Sequence, residues 1–238
     1  MDKIFTKNIE HESAVKHVTG KAIYTDDISE PKNLLHAVIG YSNCSKGVIK
    51  KIDYKDVLSS EGVVDIITEK DIEGINDVGP IFKGDKIFTS KNIEYYGQPI
   101  FAVIAKTNNL AKKAALKVKI DLKISKPIVS IEEALKKKSF VLKPKYLTRG
   151  NIKDGFKRSD NFLKGKLYSG GQDHFYLEGQ IAMTIPQEDN NFLVYSSTQH
   201  PSETQQIIGK VLKQNYNSIH VIVRRIGGGF GLSLIHIS

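Results

Sequence analysis

Apolar residues run without interruption from Ile100 to Ala105 (Ile-Phe-Ala-Val-Ile-Ala), and Gly97-Gln98-Pro99 leads into them. A short apolar run bounded by turn residues predicts a central strand. Leu34 to Tyr41 is a second apolar run and predicts a buried strand. Val48 to Asp53 alternates in the strand manner, Val63 to Thr68 is β-branched, and Ile120 to Ile124 closes the set. Val18 to Asp27 reads as a glycine turn, a short strand and an acidic turn. Helical spacing predicts a short helix over Tyr54 to Ser60. Another follows over Asn109 to Lys117, capped by Asn108, with Leu110, Ala114 and Val118 on one face. Ser130 followed three residues on by Glu133 has the capping-box spacing and starts a helix through Lys138. Residues 69 to 92 are loop-rich. The first 125 or so residues therefore read as one compact α+β domain behind a polar arm at 1–16.

A connector is expected over 126–150, and a second unit from 151. Ile152 to Ser159 reads as a helix and Asn161 to Tyr168 as a strand. Ile181 to Pro186 and Phe192 to Ser197 read as two strands joined by the polar turn 187–191. Pro201 opens a helix to about Gln214, with Ile207, Ile208, Val211 and Leu212 on its buried face. Ser218 to Arg225 is the last expected strand.

Composition narrows the class. Hydrophobic content of 40% with 26% charged residues fits a folded globular chain. The net charge of +9 raises nucleic acid as a partner. Arginine, the usual reader of phosphate forks and base edges, occurs only at 149, 158, 224 and 225, and the lysines are scattered among acids. A solvated lysine surface is the better account, with no nucleic-acid partner. Cys44 is the one cysteine, which precludes an intrachain disulfide and suits a small buried apolar role. No apolar stretch approaches the roughly 20 residues of a membrane span, and the amino terminus lacks a signal-peptide core. The expectation is a cytoplasmic protein.

Two glycine clusters draw the chemistry. The first is Gly170-Gly171-Gln172-Asp173-His174-Phe175-Tyr176-Leu177-Glu178; the second is Gly227-Gly228-Gly229-Phe230-Gly231. Glycines let backbone approach a ligand closely and can aim several N–H groups at one electronegative atom. Gln172 adds an amide that both donates and accepts. The expectation is that both clusters face one anionic cofactor. Phe175 and Tyr176 read as core. His174 and Glu178 have i, i+4 spacing, but no third ligand lies near, so a polar network is preferred to a metal site. His200 precedes a helix and reads as a cap or packing residue. No nucleotide fingerprint stands in strand–helix context, so NAD is not expected on this chain.

The first cluster, Ser196-Ser197-Thr198-Gln199-His200-Pro201 and Arg224-Arg225-Ile226-Gly227-Gly228-Gly229-Phe230-Gly231 together resemble the xanthine dehydrogenase and aldehyde oxidase family. Within it the pattern is similar to the molybdopterin-binding large subunit of bacterial members. His17 to Asp27 and Gly97-Gln98-Pro99-Ile100 carry the same resemblance, which runs from about residue 11 to Gly231. The resemblance implies an α/β hammerhead domain over 17–125 and the start of a molybdopterin-binding domain over 151–231. It implies that Gln172 hydrogen-bonds an oxo ligand of molybdenum. It also implies that Gly228, Gly229, Phe230 and Gly231 bring backbone to the molybdenum-pterin cofactor, with Gln172 and Phe230 nearest the metal's ligands. A structural reading of Gln172, an amide closing a turn, stays open. Further implications are 2Fe-2S clusters and FAD on partner chains or domains, a multi-subunit oligomer, and hydroxylation of hypoxanthine and xanthine to urate with electrons leaving to NAD. Aldehydes or other N-heterocycles are the alternative substrates.

Family members usually continue Gly-Lys-Glu after the glycine–phenylalanine loop. Here Leu232 to Ser238 follow, with no carboxylate at the usual place. The family's general-base glutamate lies farther downstream and has no counterpart here, so no catalytic residue is assigned. Residues 232–238 are expected to be non-native and the isolated chain inactive. A non-catalytic module that docks a partner subunit is the reading of another class.

Overall fold

The computed structural model describes residues 11–79 and 81–230. Gly231, the 232–238 tail and most of the expected arm lie outside the described residues. The elements in chain order are α1 (Ala14–Val18), β1 (His36–Tyr41), β2 (Gly47–Asp53), α2 (Lys55–Leu58), β3 (Val63–Ile67), β4 (Asn92–Ile93), β5 (Pro99–Ala105), α3 (Asn108–Ala115) and β6 (Lys119–Ile124). They continue as α4 (Ile131–Lys137), α5 (Ile152–Lys157), β7 (Ala182–Pro186), β8 (Phe192–Ser196), α6 (Pro201–Leu212) and β9 (Ile219–Ile222). The chain is a mixed α+β protein of two compact units: residues 1–125 with 175–238, and residues 126–174.

In the larger unit, β5 is the middle of a three-stranded sheet ordered β1-β5-β3, both pairings antiparallel. The uninterrupted apolar run has this cause. Ile100 to Val103 are all buried, and α3 packs across the sheet through Ala111 and Ala114. Phe101 is fully buried and meets the Tyr54 ring edge-on at 5.3 Å. Burial, aided by the Asp71 charge, pushes the Tyr54 hydroxyl up to about 12. Gly40 lies opposite Phe101 in the ladder, where a methyl group would enter the phenyl ring. A second sheet has the order β4-β2-β6. Cys44 is free and buried against this core, as expected of a small apolar residue.

A third sheet, β7-β8-β9, pairs β7 and β8 as the expected antiparallel hairpin and β8 and β9 in parallel, with α6 as the crossover. The carbonyls of Lys210 and Val211 in the last turn of α6 accept from the N–H groups of Ile75 and Gly74 at 3.1 and 2.9 Å. Those contacts satisfy orphan carbonyls at the helix end.

Several expectations are corrected. Thr107, not Asn108, caps α3: its extended backbone lets Oγ1 accept from the Leu110 N–H at 3.2 Å, while Asn108 is already helical. The acidic turn Thr25–Asp27 is present as a single 3-10 turn, but residues 20–24 form no strand. The buried face of α6 is shallower than its pattern implies. Gly209, against Tyr216, is its buried residue, and Leu212 is 37% exposed.

In the smaller unit, Ser130 caps α4 by accepting from the Glu133 N–H at 3.2 Å. The Glu133 carboxylate turns to Lys137 at 2.7 Å, and that hydrogen bond holds it below the usual carboxylate range. Asn151 caps α5. Asn161 to Tyr168 is not a strand. Phe162, Leu163, Leu167 and Tyr168 are exposed, and the segment pairs with no strand among the described residues, so its apolar pattern has no sheet to enter.

Candidate functional site

Strand β9 hands the chain to Val223-Arg224-Arg225-Ile226 and then to the second glycine cluster. The carbonyl of Gly227 accepts from the Leu177 N–H at 3.3 Å. At Gly227 an added Cβ would enter the backbone nitrogen of Glu178 and lie 2.6 Å from its Cβ. Only a residue without a side chain permits this approach. The carboxyl end of the first cluster and the start of the second thus meet at Leu177–Glu178 and Gly227.

Glu178 is 8% exposed. Its Oε1 accepts from the Thr25 N–H at 2.9 Å, and its Oε2 is buried with no hydrogen-bond partner among the described residues. On the other flank, Arg225 donates through Nη1 to the Ile23 carbonyl at 3.0 Å and through Nη2 to Ser13 Oγ at 3.2 Å. Residues 13–25 therefore form a strap tied to both sides of the glycine loop. The end of β8 steadies the same region. Ser197 donates its N–H to the Ile181 carbonyl, and its Oγ accepts from the Ile181 N–H, each at 3.1 Å.

Past Gly227 the loop opens. Gly228 is exposed, and a Cβ on Gly229 would find no heavy atom within 4 Å. Phe230 takes the left-handed conformation, φ 49°, with its side chain 57% exposed. Among the described residues no backbone acceptor takes the N–H of Gly228 or Gly229. These donors and the free volume beside Gly229 fit an electronegative oxygen or sulfur acceptor. Gly231 lies outside the described residues.

Gln172 falls in the smaller unit and the glycine loop in the larger. Gln172 is exposed in a stretch without regular secondary structure, and a Cβ on Gly170 or Gly171 would likewise meet nothing within 4 Å. Phe175 is not core but 92% exposed, with φ 48°, and Tyr176 is 39% exposed. Their aromatic character points to core, but the chain here runs as irregular surface backbone. His174 and Glu178 do not share a helix, because residues 174–178 are not helical. Among the described residues no cluster of three or more His, Cys, Asp or Glu side chains is placed to hold a metal. His200 is a cap: its Nδ1 accepts from the Glu203 N–H at 3.1 Å. Sequence reasoning misses the structural use of Glu178 and Arg225. The available signal is a carboxylate between Leu177 and Gly179 in an apolar stretch, since a buried charge needs a partner.

Two family models match the chain. Residues 19–126 match the a/b hammerhead domain of aldehyde oxidase and xanthine dehydrogenase, and residues 134–237 match a molybdopterin cofactor-binding domain. The chain is 38% identical over 226 residues to xanthine dehydrogenase of Dictyostelium discoideum, covering 95% of this chain and 16% of that protein. It is also 38% identical over 226 residues to aldehyde oxidase 1 of Bos taurus, covering 94% of this chain and 17% of that protein. The chain spans about a sixth of the length of these relatives. Among solved structures it resembles the aldehyde oxidoreductase of Desulfovibrio gigas. The TM-score is 0.78 at 26% identity, covering 92% of this chain and 26% of that one. In the described residues no helix is long and apolar enough to cross a membrane.

Proposed function

Given that the chain belongs to the aldehyde oxidase and xanthine dehydrogenase family, we propose that it is the cofactor-contacting start of a molybdenum hydroxylase subunit. Gln172 and the Gly228–Gly231 loop would hold the molybdenum-pterin cofactor. One observation carries this reading: Gly227 is wedged on Glu178, while among the described residues no backbone acceptor takes the N–H of Gly228 or Gly229 and a Cβ on Gly229 would meet nothing within 4 Å.

When bound, the cofactor supplies a two-electron acceptor for hydroxylation with oxygen drawn from water. The chain's own contribution is orientation and electrostatics. Gly228 and Gly229 would offer backbone N–H groups to the cofactor, and Phe230 would lie beside it. Gln172 would offer its side-chain amide as a donor to the cofactor. The Gly227–Glu178 wedge and the strap keep the donors aimed without rearrangement, which is where preorganised donors gain their effect. No proton-abstracting residue of this chain is assigned. The chain by itself is expected to be inactive.

The proposed substrates are hypoxanthine and xanthine, oxidised to urate, with electrons leaving through 2Fe-2S clusters and FAD on partner chains to NAD. Aldehydes and other N-heterocycles are the alternatives, in keeping with relatives named for either activity. The test uses the full-length subunit, purified with its cofactor, and reads molybdenum by mass spectrometry and pterin by fluorescence of its oxidised form. Gln172→Ala and Gly229→Val are expected to lower both contents severalfold while the fold persists by circular dichroism. Unchanged cofactor content in both variants would remove the proposed site. Xanthine oxidation by the 238-residue chain alone would refute its inactivity.

A further inference from the structure

A cavity of about 590 Å³ lies in the larger unit between the strap and the carboxyl ends of β8 and β9. Four of its lining residues are cationic: Lys16, Lys21, Arg224 and Arg225. Asp27 is the one acid in the lining, and its Oδ2 accepts from the Tyr24 N–H at 2.9 Å. Lys16, Lys21 and Arg224 form no ion pair with any acid of the described residues. The formal balance of the lining is four positive against one negative, or +3. Tyr195 and Ile222 give the cavity an apolar wall.

Four lysines outside the cavity pair with an acid, among them Lys119 with Asp56 at 2.7 Å, Lys137 with Glu133 at 2.7 Å and Lys86 with Glu69 at 3.6 Å; the cavity is set apart by the number of cations in one concave lining. Here segments almost two hundred residues apart, the strap and the end of β9, bring like charges to one concavity. Gathering four cations against a single acid raises the energy of the fold through self-repulsion, and a concave wall focuses the resulting field on an entering anion. Arg225 is also fixed in place, with Nη1 on the Ile23 carbonyl and Nη2 on Ser13 Oγ, while its Nε is buried without a partner among the described residues. A cationic group whose orientation is already held loses little freedom when an anion arrives. The cavity volume suits a ligand of nucleotide size.

We propose that this cavity is a binding site for a small phosphate ester of two or more negative charges. Lys16, Lys21 and Arg224 engage the oxyanion, Arg225 braces the floor, and Tyr195 and Ile222 contact the organic body. This proposal goes beyond the cofactor reading and does not rest on it.

The test is isothermal titration of the 238-residue chain with ATP in about 20 mM salt, where exposed charges are weakly screened. Tripolyphosphate and citrate serve as further probes. ATP is expected to bind at one site and to weaken at least about tenfold in the Lys21→Glu/Arg224→Glu double variant, because two exposed attractions become repulsions. The double variant Lys112→Glu/Lys113→Glu, on α3, changes the net charge equally and is expected to leave ATP affinity within about twofold. Affinity for ATP above that for tripolyphosphate supports the apolar wall's part in the site. Citrate binding as tightly as ATP would overturn the phosphate-ester assignment. Equal weakening by the two double variants would overturn the site altogether, as the attraction would then be diffuse. So would saturable binding of a single-stranded oligonucleotide far tighter than ATP, or no ATP binding by a chain whose circular dichroism and cooperative melting show it folded.

Discussion

Replacing Gly227 by alanine tests the geometry of the glycine loop directly. The new Cβ would lie 2.6 Å from the Cβ and 2.8 Å from the Cα of Glu178, and closer still to its backbone nitrogen. Carbon atoms in ordinary contact stand about 3.5–4.0 Å apart, so loop and neighbour must separate by about 1 Å. Neither side yields easily. Leu177–Glu178 is backbone, and Glu178 is held by the Thr25 N–H. A shift of that size breaks the 3.3 Å bond from the Leu177 N–H to the Gly227 carbonyl, already near the geometric limit. One such bond contributes about 1 kcal/mol. Overpacking adds about 1–3 kcal/mol. The expected loss is about 2–4 kcal/mol, read by urea unfolding of the 238-residue chain with Gly229→Ala as the internal reference. Gly229 has nothing within 4 Å of an added Cβ, so alanine there is expected to stay within about 0.5 kcal/mol of the parent. The reasoning fails if the two variants are equally stable, since they differ only in what the added methyl meets.

Two further outcomes follow from the larger unit. Gly40→Ala places a methyl group inside the Phe101 ring and is expected to destabilise by about 1–3 kcal/mol. In a double-mutant cycle with Phe101→Leu the two losses should sum to more than the double variant shows, whereas strict additivity would mean the ring is not the obstacle. The loop around residues 68–86 carries three carboxylates whose pKa values are lowered: Glu69 chiefly by a hydrogen bond from Ser90, Asp71 by the Thr68 hydroxyl, and Asp77 by the backbone N–H groups of Gly79 and Gly84. For groups lowered on folding, the contribution to stability is complete above their unfolded values of about 4 and is lost as pH falls through the lower folded values. Amide exchange at Gly79 and Gly84 should therefore quicken relative to the core below about pH 4, and an Asp77→Asn chain should show less change. Protection that stays constant through this range in the parent would count against the assignment.

What could be read in the sequence is what depends on neighbours along the chain. The run from Ile100 to Ala105 announces a central strand because nothing in it needs water, and β5 is indeed paired on both edges. The hairpin of β7 and β8 is legible because its pairing closes through a short polar turn. The glycine loop is legible as backbone that must come close to something. Where local signals compete, the reading slips. Thr107 and Asn108 are both good caps, and only the extended backbone of Thr107 decides between them. Asn161 to Tyr168 has a strand's composition, but a strand is a pairing, and composition does not state whether an edge is available. The order β4-β2-β6 is illegible for the same reason, since it joins segments some 40 to 75 residues apart.

The ties at the glycine loop are less local still. Thr25 reaches Glu178 across 153 positions and Arg225 reaches Ile23 across 202. No periodicity links such residues, yet the two contacts depend on each other. The strap residues Ile23 and Thr25 are separated by one residue, so a strand-like alternation would point their polar backbone groups to the same side. The 3-10 turn at Thr25–Asp27 follows an extended Tyr24 and lets the Ile23 carbonyl face Arg225 while the Thr25 N–H faces Glu178. The absence of a strand over residues 20–24 is thus the condition for the strap to hold both flanks of Gly227. Asp27 completes that turn by accepting from the Tyr24 N–H, so the acid facing the basic cavity also shapes the strap. Loop support and cavity charge are built from the same few residues, and a change that melts the turn should disturb both.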